Sequence, residues 1–412
     1  MSRLLAMILA LVTVSSAAVL AQARPVCDPG NAGLVLPAGY CALLVGERLG
    51  AVRHIVVADN GDIYAGVGGR GGGGLLALRD TDGDGKADML RPIGRASGTG
   101  VALHGGYLYF APNDRILRYR LANGALVPAD PPETIATGLP TGGHAAKTMA
   151  FGLDGSLFVD FGSRSNSCQA EDRSARSPGR MPCTELEERA GIWRFDADKL
   201  DQAPSDGERW TTGLRNPMAL AVHPSTGELY FASHGRDQLS ANWGFTAEQN
   251  AELPAEEFGV AAKGDDYGWP YCYHDPLTNL KVLAPEYGGD GRAVGRCAAM
   301  KDPIIGFPAH WAPMALAFNT MPALGPGYQG GAFLAFHGSW NRAPLPQAGY
   351  RVVYIPFANG RPTGEYSTFA IAAAGPTSLR ASGVAMGPDG SLYIASDRDQ
   401  KIWRVKKRGS RE

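Results

Sequence analysis

The fragment VAMGPDGSLYIASD, residues 384–397, is an apolar run, a Pro-Asp-Gly turn and a second run rich in aromatic and β-branched residues. The Asp-Gly pair supplies the positive φ of a tight hairpin, and the flanking residues suit strands. The pattern recurs as HIVVADNGDIYAGV (54–67), GVALHGGYLYFAP (100–112), MAFGLDGSLFVDFG (149–162), LAVHPSTGELYFASHG (220–235) and LAFNTMPALGPGYQGGAFLAFHGS (316–339). A further strand often follows, as in RILRYRL (115–121), GIWRFDAD (191–198), YRVVYIPF (350–357) and KIWRVKK (401–407). Repeats of roughly 40 to 50 residues with four strands each read as propeller blades. The six hairpins therefore predict an all-β chain. The expected fold is a six-bladed β-propeller of four-stranded antiparallel blades, forming one domain over residues 24–412. The segment ALLVGERLG (42–50) is expected to close the ring against the last blade. The longer gaps between the later repeats predict insertions on one face, with a short helix somewhere in residues 247–258.

Residues 1–23 carry one arginine, an apolar segment and then Ala21-Gln22-Ala23. This is the pattern of a signal peptide cut after Ala23. No other stretch is apolar enough to span a bilayer. The expectation is an exported protein, periplasmic or secreted and not membrane-spanning. The charge is balanced, with 39 Lys and Arg against 40 Asp and Glu, and no run of one sign occurs. That balance speaks against nucleic acid as a partner. All six cysteines lie in the mature part. An even count in an exported chain favours disulfides, and spacing suggests Cys27–Cys41, Cys168–Cys183 and Cys272–Cys297 among the pairings that six cysteines allow.

In a propeller, segments leading into the inner strands line the mouth of the central channel. Here those positions hold Arg53 and His54, His144, Arg215 and Asn216, His310, and Arg380. Segments leaving the inner hairpins reach the same face and hold His234, Gly235, Arg236 and Asp237, and also His337, Trp340 and Arg342. Arg215 is a fixed fork donor that keeps its charge, suited with Asn216 to an oxyanion or a quinone carbonyl. Gly235 lets backbone carbonyls approach a hard cation. Arg53, Lys147, Arg342 and Arg380 form a set that fits a cofactor bearing several carboxylates. Trp340 and Trp311 are flat enough to stack on a ring. The run DTDGDGKAD places Asp80, Asp82, Asp84 and Asp88 at calcium-loop spacing, but Arg91 stands where the bidentate Glu belongs. It reads equally as a second calcium site or as an acidic hairpin tip. GVGGRGGGG (66–74) precedes no helix and reads as a loop rather than a phosphate cradle.

Several stretches together resemble the PQQ-dependent sugar dehydrogenases. They are GGHAAKTMAFGLDGSLFVDFGS, GLRNPMALAVHP, HGRDQLSANW, LPAEEF, GDDYGWPYCY, FHGSWNR and RASGVAMGPDGSLYIASD. The similarity is greatest to the L-sorbosone and pyranose dehydrogenase branch, and more distant to soluble glucose dehydrogenase. It spans nearly the whole mature chain and implies a six-bladed propeller holding pyrroloquinoline quinone (PQQ) and Ca2+. It implies that His144 is the general base for a sugar hydroxyl and that Arg215 and Asn216 contact the quinone. Lys147, Trp340, Arg342 and Arg380 fall among the cofactor-facing positions, and Arg53 and His234, at the same mouth, are expected to bind the cofactor beside them. Gly235 and Arg236 fall where backbone carbonyls hold the calcium. An external electron acceptor, such as a cytochrome or a quinone, is implied as well. In this sequence Lys147 stands where relatives of the branch carry Arg, and Gly143 where glucose-oxidising relatives carry an acid beside the histidine. A calcium-dependent lactonase-like hydrolase and a non-catalytic binding propeller remain open at this point.

Overall fold

A computed structural model describes residues 25–69 and 73–409; the expected signal peptide lies outside them. Six antiparallel blade sheets follow one another along the chain, with two small two-stranded sheets, Cys272–Asp275 with Leu280–Leu283 and Phe357–Ala358 with Arg361–Pro362, beside them. Blade 1 comprises Ala51–Val57, Ile63–Gly68, Gly74–Arg79 and Met89–Ile93; blade 2 comprises Gly98–His104, Tyr107–Pro112, Arg115–Arg120 and Glu133–Thr137. Blade 3 comprises Met149–Phe151, Ser156–Phe161, Gly191–Asp196 and Glu208–Thr212; blade 4 comprises Ala219–Val222, Leu229–Ser233, Glu256–Val260 and Ile305–Phe307. Blade 5 comprises Pro313–Phe318, Ala332–Phe336, Arg351–Ile355 and Ser367–Ala372. Blade 6 comprises Ala381–Met386, Leu392–Ser396 and Lys401–Lys407, and its outer strand is Tyr40–Gly46 from the start of the chain. The six-bladed all-β expectation is met.

The ring closes where Tyr40 pairs with Lys407 and Leu44 with Trp403, as read from the 42–50 segment. An unforeseen extra pairing sets Leu34–Val35 against the outer strand of blade 5. The Val384–Asp397 repeat is the inner hairpin of blade 6. Its turn is held by the Gly387 amide donating to Ser391 O at 2.8 Å and by Ser391 Oγ donating to Asp389.

Alternate residues of the strands pack between neighbouring blades. Tyr109, Phe161 and Trp193 join blades 2 and 3, while Tyr230, Phe258, Phe307 and Phe336 join blades 4 and 5. Burying each such side chain contributes about 1.5–3 kcal/mol, so blade-to-blade contact is the main cohesive term. The three disulfides are Cys27–Cys41, Cys168–Cys183 and Cys272–Cys297, the local pairing that the spacing suggested. Among the described residues no helix is long and apolar enough to cross a membrane.

The insertions follow the inner hairpins of blades 3, 4 and 5, at residues 162–190, 234–255 and 337–350. Because the second strand of each blade runs back towards the mouth, all three insertions gather there. The expected helix is Ala247–Glu252, started by Thr246, whose hydroxyl accepts from the Gln249 amide. It ends before Glu256, because Glu256–Val260 is drawn into blade 4 as its third strand.

Candidate active site

A cavity of about 430 Å³ opens at the mouth. It is lined by Arg53, His144, Arg215, Asn216, His234, Gly235, His310 and Trp340 from the expected set. Asp237 and His337, also expected at the mouth, line it too, and Asn113, Arg173, Glu256 and Asn341 join them. The volume suits a small-molecule ligand.

His144 sits on a turn whose shape needs glycine at 143: φ there is +56°, and a Cβ would run into the Arg164 carbonyl. The His144 amide donates to Ser163 O at 2.9 Å. Its ring Nδ1 lies 2.9 Å from the same carbonyl oxygen and 3.0 Å from Ser163 Oγ. Burial, reinforced by the nearby Arg215 charge, pushes the imidazole down to about 3. The ring is therefore oriented by Ser163, although no acid stands at 143.

Arg215 is buried in a dense frame. Its Nε and Nη2 donate to Asn166 O and Oδ1 at 3.1 Å each, its Nη1 donates to Gly235 O at 2.7 Å, and its Nη2 also reaches Asp237 at 3.1 Å. Arg173 binds the same Asp237 oxygen at 3.0 Å. Burial alone would raise Asp237, but Arg215, His310 and Arg173 hold it well below the usual carboxylate range. Glu256 is pushed up to about 8 by burial, with the Gly235 and Ala312 amides opposing. His234 donates Nε2–H to Pro313 O at 2.7 Å, and burial lowers it to about 3.

On the other wall Asp397 accepts from Arg53 at 2.9 Å and from His337 Nε2 at 2.8 Å. Arg380 does not line the cavity itself. It lies behind the wall, where its Nη2 donates to His337 Nδ1 at 2.9 Å. Four guanidiniums, of Arg53, Arg173, Arg215 and Arg380, thus face two ionised carboxylates, of Asp237 and Asp397.

Two expected cofactor-facing side chains, of Lys147 and Arg342, lie elsewhere. Lys147 is fully buried beneath the His144 turn, where its ammonium donates to Pro140 O at 2.9 Å and Ala145 O at 2.7 Å. Those carbonyls satisfy the charge, so it is not offered to the cavity. Arg342 is buried against Ala251 O, Ala309 O and Glu252, tying its loop to the Ala247–Glu252 helix. The Arg236 side chain turns away to Glu286, which leaves only its backbone near the site. Trp311 also departs from expectation: it packs against Phe336 in the core between blades 4 and 5. Trp340 is 69% exposed on the cavity rim.

Asp80, Asp82 and Asp88 bring one carboxylate oxygen each within 4.8 Å of one another. Asp84 stands outside that group, accepting the Lys86 amide at 2.7 Å. The loop follows the third strand of blade 1, at the end of the channel opposite the mouth. Asp80 caps the Gly83 and Gly85 amides, as an acidic turn does without a cation.

Sequence reasoning missed Ser163, Asn166, Arg173, Glu256 and Asp397. Ser163, Asn166 and Asp397 follow the inner hairpins of blades 3 and 6. The rule that singled out His234 and His337 in blades 4 and 5 finds them when applied to every blade.

A site for PQQ and Ca2+ needs cations for its carboxylates and oxygen donors for the metal. The excess of guanidinium over carboxylate suits an anionic group carrying several carboxylates. Asn216 Oδ1 is buried without a partner among the described residues, so it has an acceptor to offer. A Cβ at Gly235 would meet Ala255 O at 2.9 Å and Pro254 Cγ at 3.0 Å, so glycine lets this turn at the cavity edge pack against residues 254–255. The residues present fit the group.

Among solved structures, the chain is similar to Trichoderma reesei Carbohydrate-Active Enzymes Family AA12. The TM-score is 0.77 at 20% identity, covering 91% of this chain and 98% of that one. It is also similar to the holo form of the pyranose dehydrogenase PQQ domain from Coprinopsis cinerea, with a TM-score of 0.74 at 19% identity over 93% and 98% of the two chains. At these identities the likeness shows the fold. Among curated proteins, an uncharacterized protein of Borreliella burgdorferi is 27% identical over 47% of each chain. Aldose sugar dehydrogenase YliI of Escherichia coli is 24% identical over 32% of this chain and 30% of its own length. The chain thus spans about half, or less, of the curated relatives it matches. The TrAA12-like family model matches residues 34–408, and the chain belongs to that family.

Proposed function

We propose that this protein is a quinoprotein oxidoreductase that oxidises a sugar or sugar aldehyde, with His144 as general base. The observation that carries the reading is His144 on the wall of a cavity framed by Arg53, Arg215 and Arg173, with Nε2 unpartnered among the described residues. Arg53 would hold a carboxylate of PQQ, with Arg380 supporting that wall through His337; Arg215 and Asn216 would offer their polar groups to the quinone, and the carbonyls of Gly235 and Arg236 would seat Ca2+. When bound, PQQ supplies the hydride acceptor and Ca2+ the Lewis acid.

The chain supplies the rest. His144 takes the hydroxyl proton of the anomeric or hydrated carbon at Nε2. Arg215, immobilised by Asn166 and Asp237, holds a fixed positive field beside the reacting atoms without reorganising during the reaction. Trp340 offers a sugar an apolar face at the rim. Electrons leave to an external acceptor, such as a cytochrome or a quinone. The three disulfides suit the oxidising periplasm or exterior, and the leader at residues 1–23 would direct the chain there.

The test is reconstitution of purified apo-protein with PQQ and Ca2+, followed by dye reduction with aldoses, aldosuloses and sugar aldehydes. PQQ-dependent turnover on at least one substrate is expected. No spectral change on adding PQQ and no turnover would refute the reading. His144→Ala is expected to lower kcat by about 10²–10⁴-fold while PQQ still binds. Lost PQQ binding instead would make His144 structural.

A further inference from the structure

The histidines of the mouth divide into two kinds. His54, His234 and His310 direct Nε2 at the backbone carbonyls of Met314, Pro313 and Asn250, at 2.6, 2.7 and 2.7 Å. A carbonyl oxygen only accepts, so each of these rings carries its proton on Nε2. His144 does the reverse, directing Nδ1 at Ser163 O. The Ser163 hydroxyl donates to Ser165 O at 2.7 Å, so its oxygen is free to accept from the same Nδ1–H at 3.0 Å.

We propose that Ser163 is the positioning residue of the base: its carbonyl and hydroxyl oxygens together lock His144 as the neutral Nδ1–H tautomer and leave Nε2 unprotonated towards the cavity. This rests on the reading of His144 as base. Both oxygens are uncharged, so the base works without a carboxylate behind it. The charged or titratable groups facing the ring are Arg215 and His234, which disfavour its protonation, and Asp237, which favours it.

Ser163 is itself anchored. It is fully buried, and its amide donates to Arg215 O at 2.7 Å. Two residues on, Ser165 is fastened by Glu185 through its amide at 3.1 Å and through its hydroxyl. Next to it, Asn166 holds the Arg215 guanidinium. One short segment therefore orients both the base and the cation beside it.

The experiment is long-range ¹H–¹⁵N NMR of ¹⁵N-histidine-labelled apo-protein, with His144 assigned by its loss in His144→Ala. The wild type is expected to show His144 as Nδ1–H and the other mouth histidines as Nε2–H. In Ser163→Ala the remaining carbonyl should keep the Nδ1–H form, but with one of its two acceptors lost the Nδ1–H resonance should shift and exchange faster, and kcat should fall about 10-fold with the sugar KM nearly unchanged, as when an orienting partner is removed. Ser163→Asp should keep the single Nδ1–H form and make the ring titrate at higher pH. An Nε2–H tautomer in the wild type overturns the proposal, whether or not the variants fold. An unchanged spectrum and kcat in Ser163→Ala overturn it too. The apo-protein spectrum needs no turnover, so it separates failure of this proposal from failure of the proposed oxidation.

Discussion

Lys147 shows how a charge is read differently once its neighbours are known. In the sequence it is one of several cations near a histidine. In the fold, burial lowers its ammonium to about 8, and its protons go to two carbonyls of the turn that carries His144. Replacing it with Met keeps the volume but leaves the Pro140 and Ala145 carbonyls unpaired. We expect Lys147→Met to cost about 1–3 kcal/mol of stability in urea unfolding. The Kd for PQQ should change less than twofold. A tenfold loss of PQQ affinity without loss of stability would return Lys147 to the cofactor site. Glu256 is the converse case. It sits in an unremarkable run of acids, and its nearly neutral state follows only from burial in the cavity wall.

The decisive element is the insertion of blade 3, residues 162–190. It carries Ser163 and Asn166, and Cys168–Cys183 closes it. Glu185 ties down its start by accepting the Arg164 amide at 2.8 Å, and Trp269, from the segment 261–304 between the third and outer strands of blade 4, donates to Asn166 O at 3.0 Å. A local staple of this kind stabilises chiefly by restricting the unfolded chain, by about 2–4 kcal/mol. The double variant Cys168→Ala, Cys183→Ala should therefore lower Tm and also reduce kcat, because both His144 and Arg215 lean on this segment. A lowered Tm with unchanged kcat would show that the segment holds its shape without the staple. The order of strands, turns and insertions was legible beforehand because hairpin chemistry is local. The contact between this insertion and the 261–304 segment of blade 4 was not, because more than 80 residues separate Cys183 from Tyr271, whose hydroxyl it meets through its amide at 2.9 Å.

At the scale of the whole molecule, closing the ring buries a belt of neutral histidines. Burial lowers His54 to about 4 and His144 and His234 to about 3, and it lowers His310 and His337 as well. In the unfolded chain each titrates near its ordinary value of about 6.5. Below that pH the unfolded state binds more protons than the folded one, so stability falls as pH falls, by up to about 1.4 kcal/mol per unit for each ring. Glu256 and Asp160, raised by burial to about 8 and about 6, act in the opposite sense, but the histidines outnumber them. Tm should be highest near neutral pH and drop between pH 7 and pH 5. A flat profile would mean that the belt hydrates in solution.

Hairpin repeats, disulfide spacing and the basic mouth were written in the sequence, since each depends on residues close in the chain or on a repeat that returns every blade. So was the family, which the quoted motifs carry from blade 3 to blade 6. Tertiary structure decided which cations face the cavity, which nitrogen of His144 is free, and that Ser163 rather than an adjacent acid aims it. Those are decisions of packing: burial and partners from distant blades set the protonation and direction of a side chain, and no local pattern encodes them.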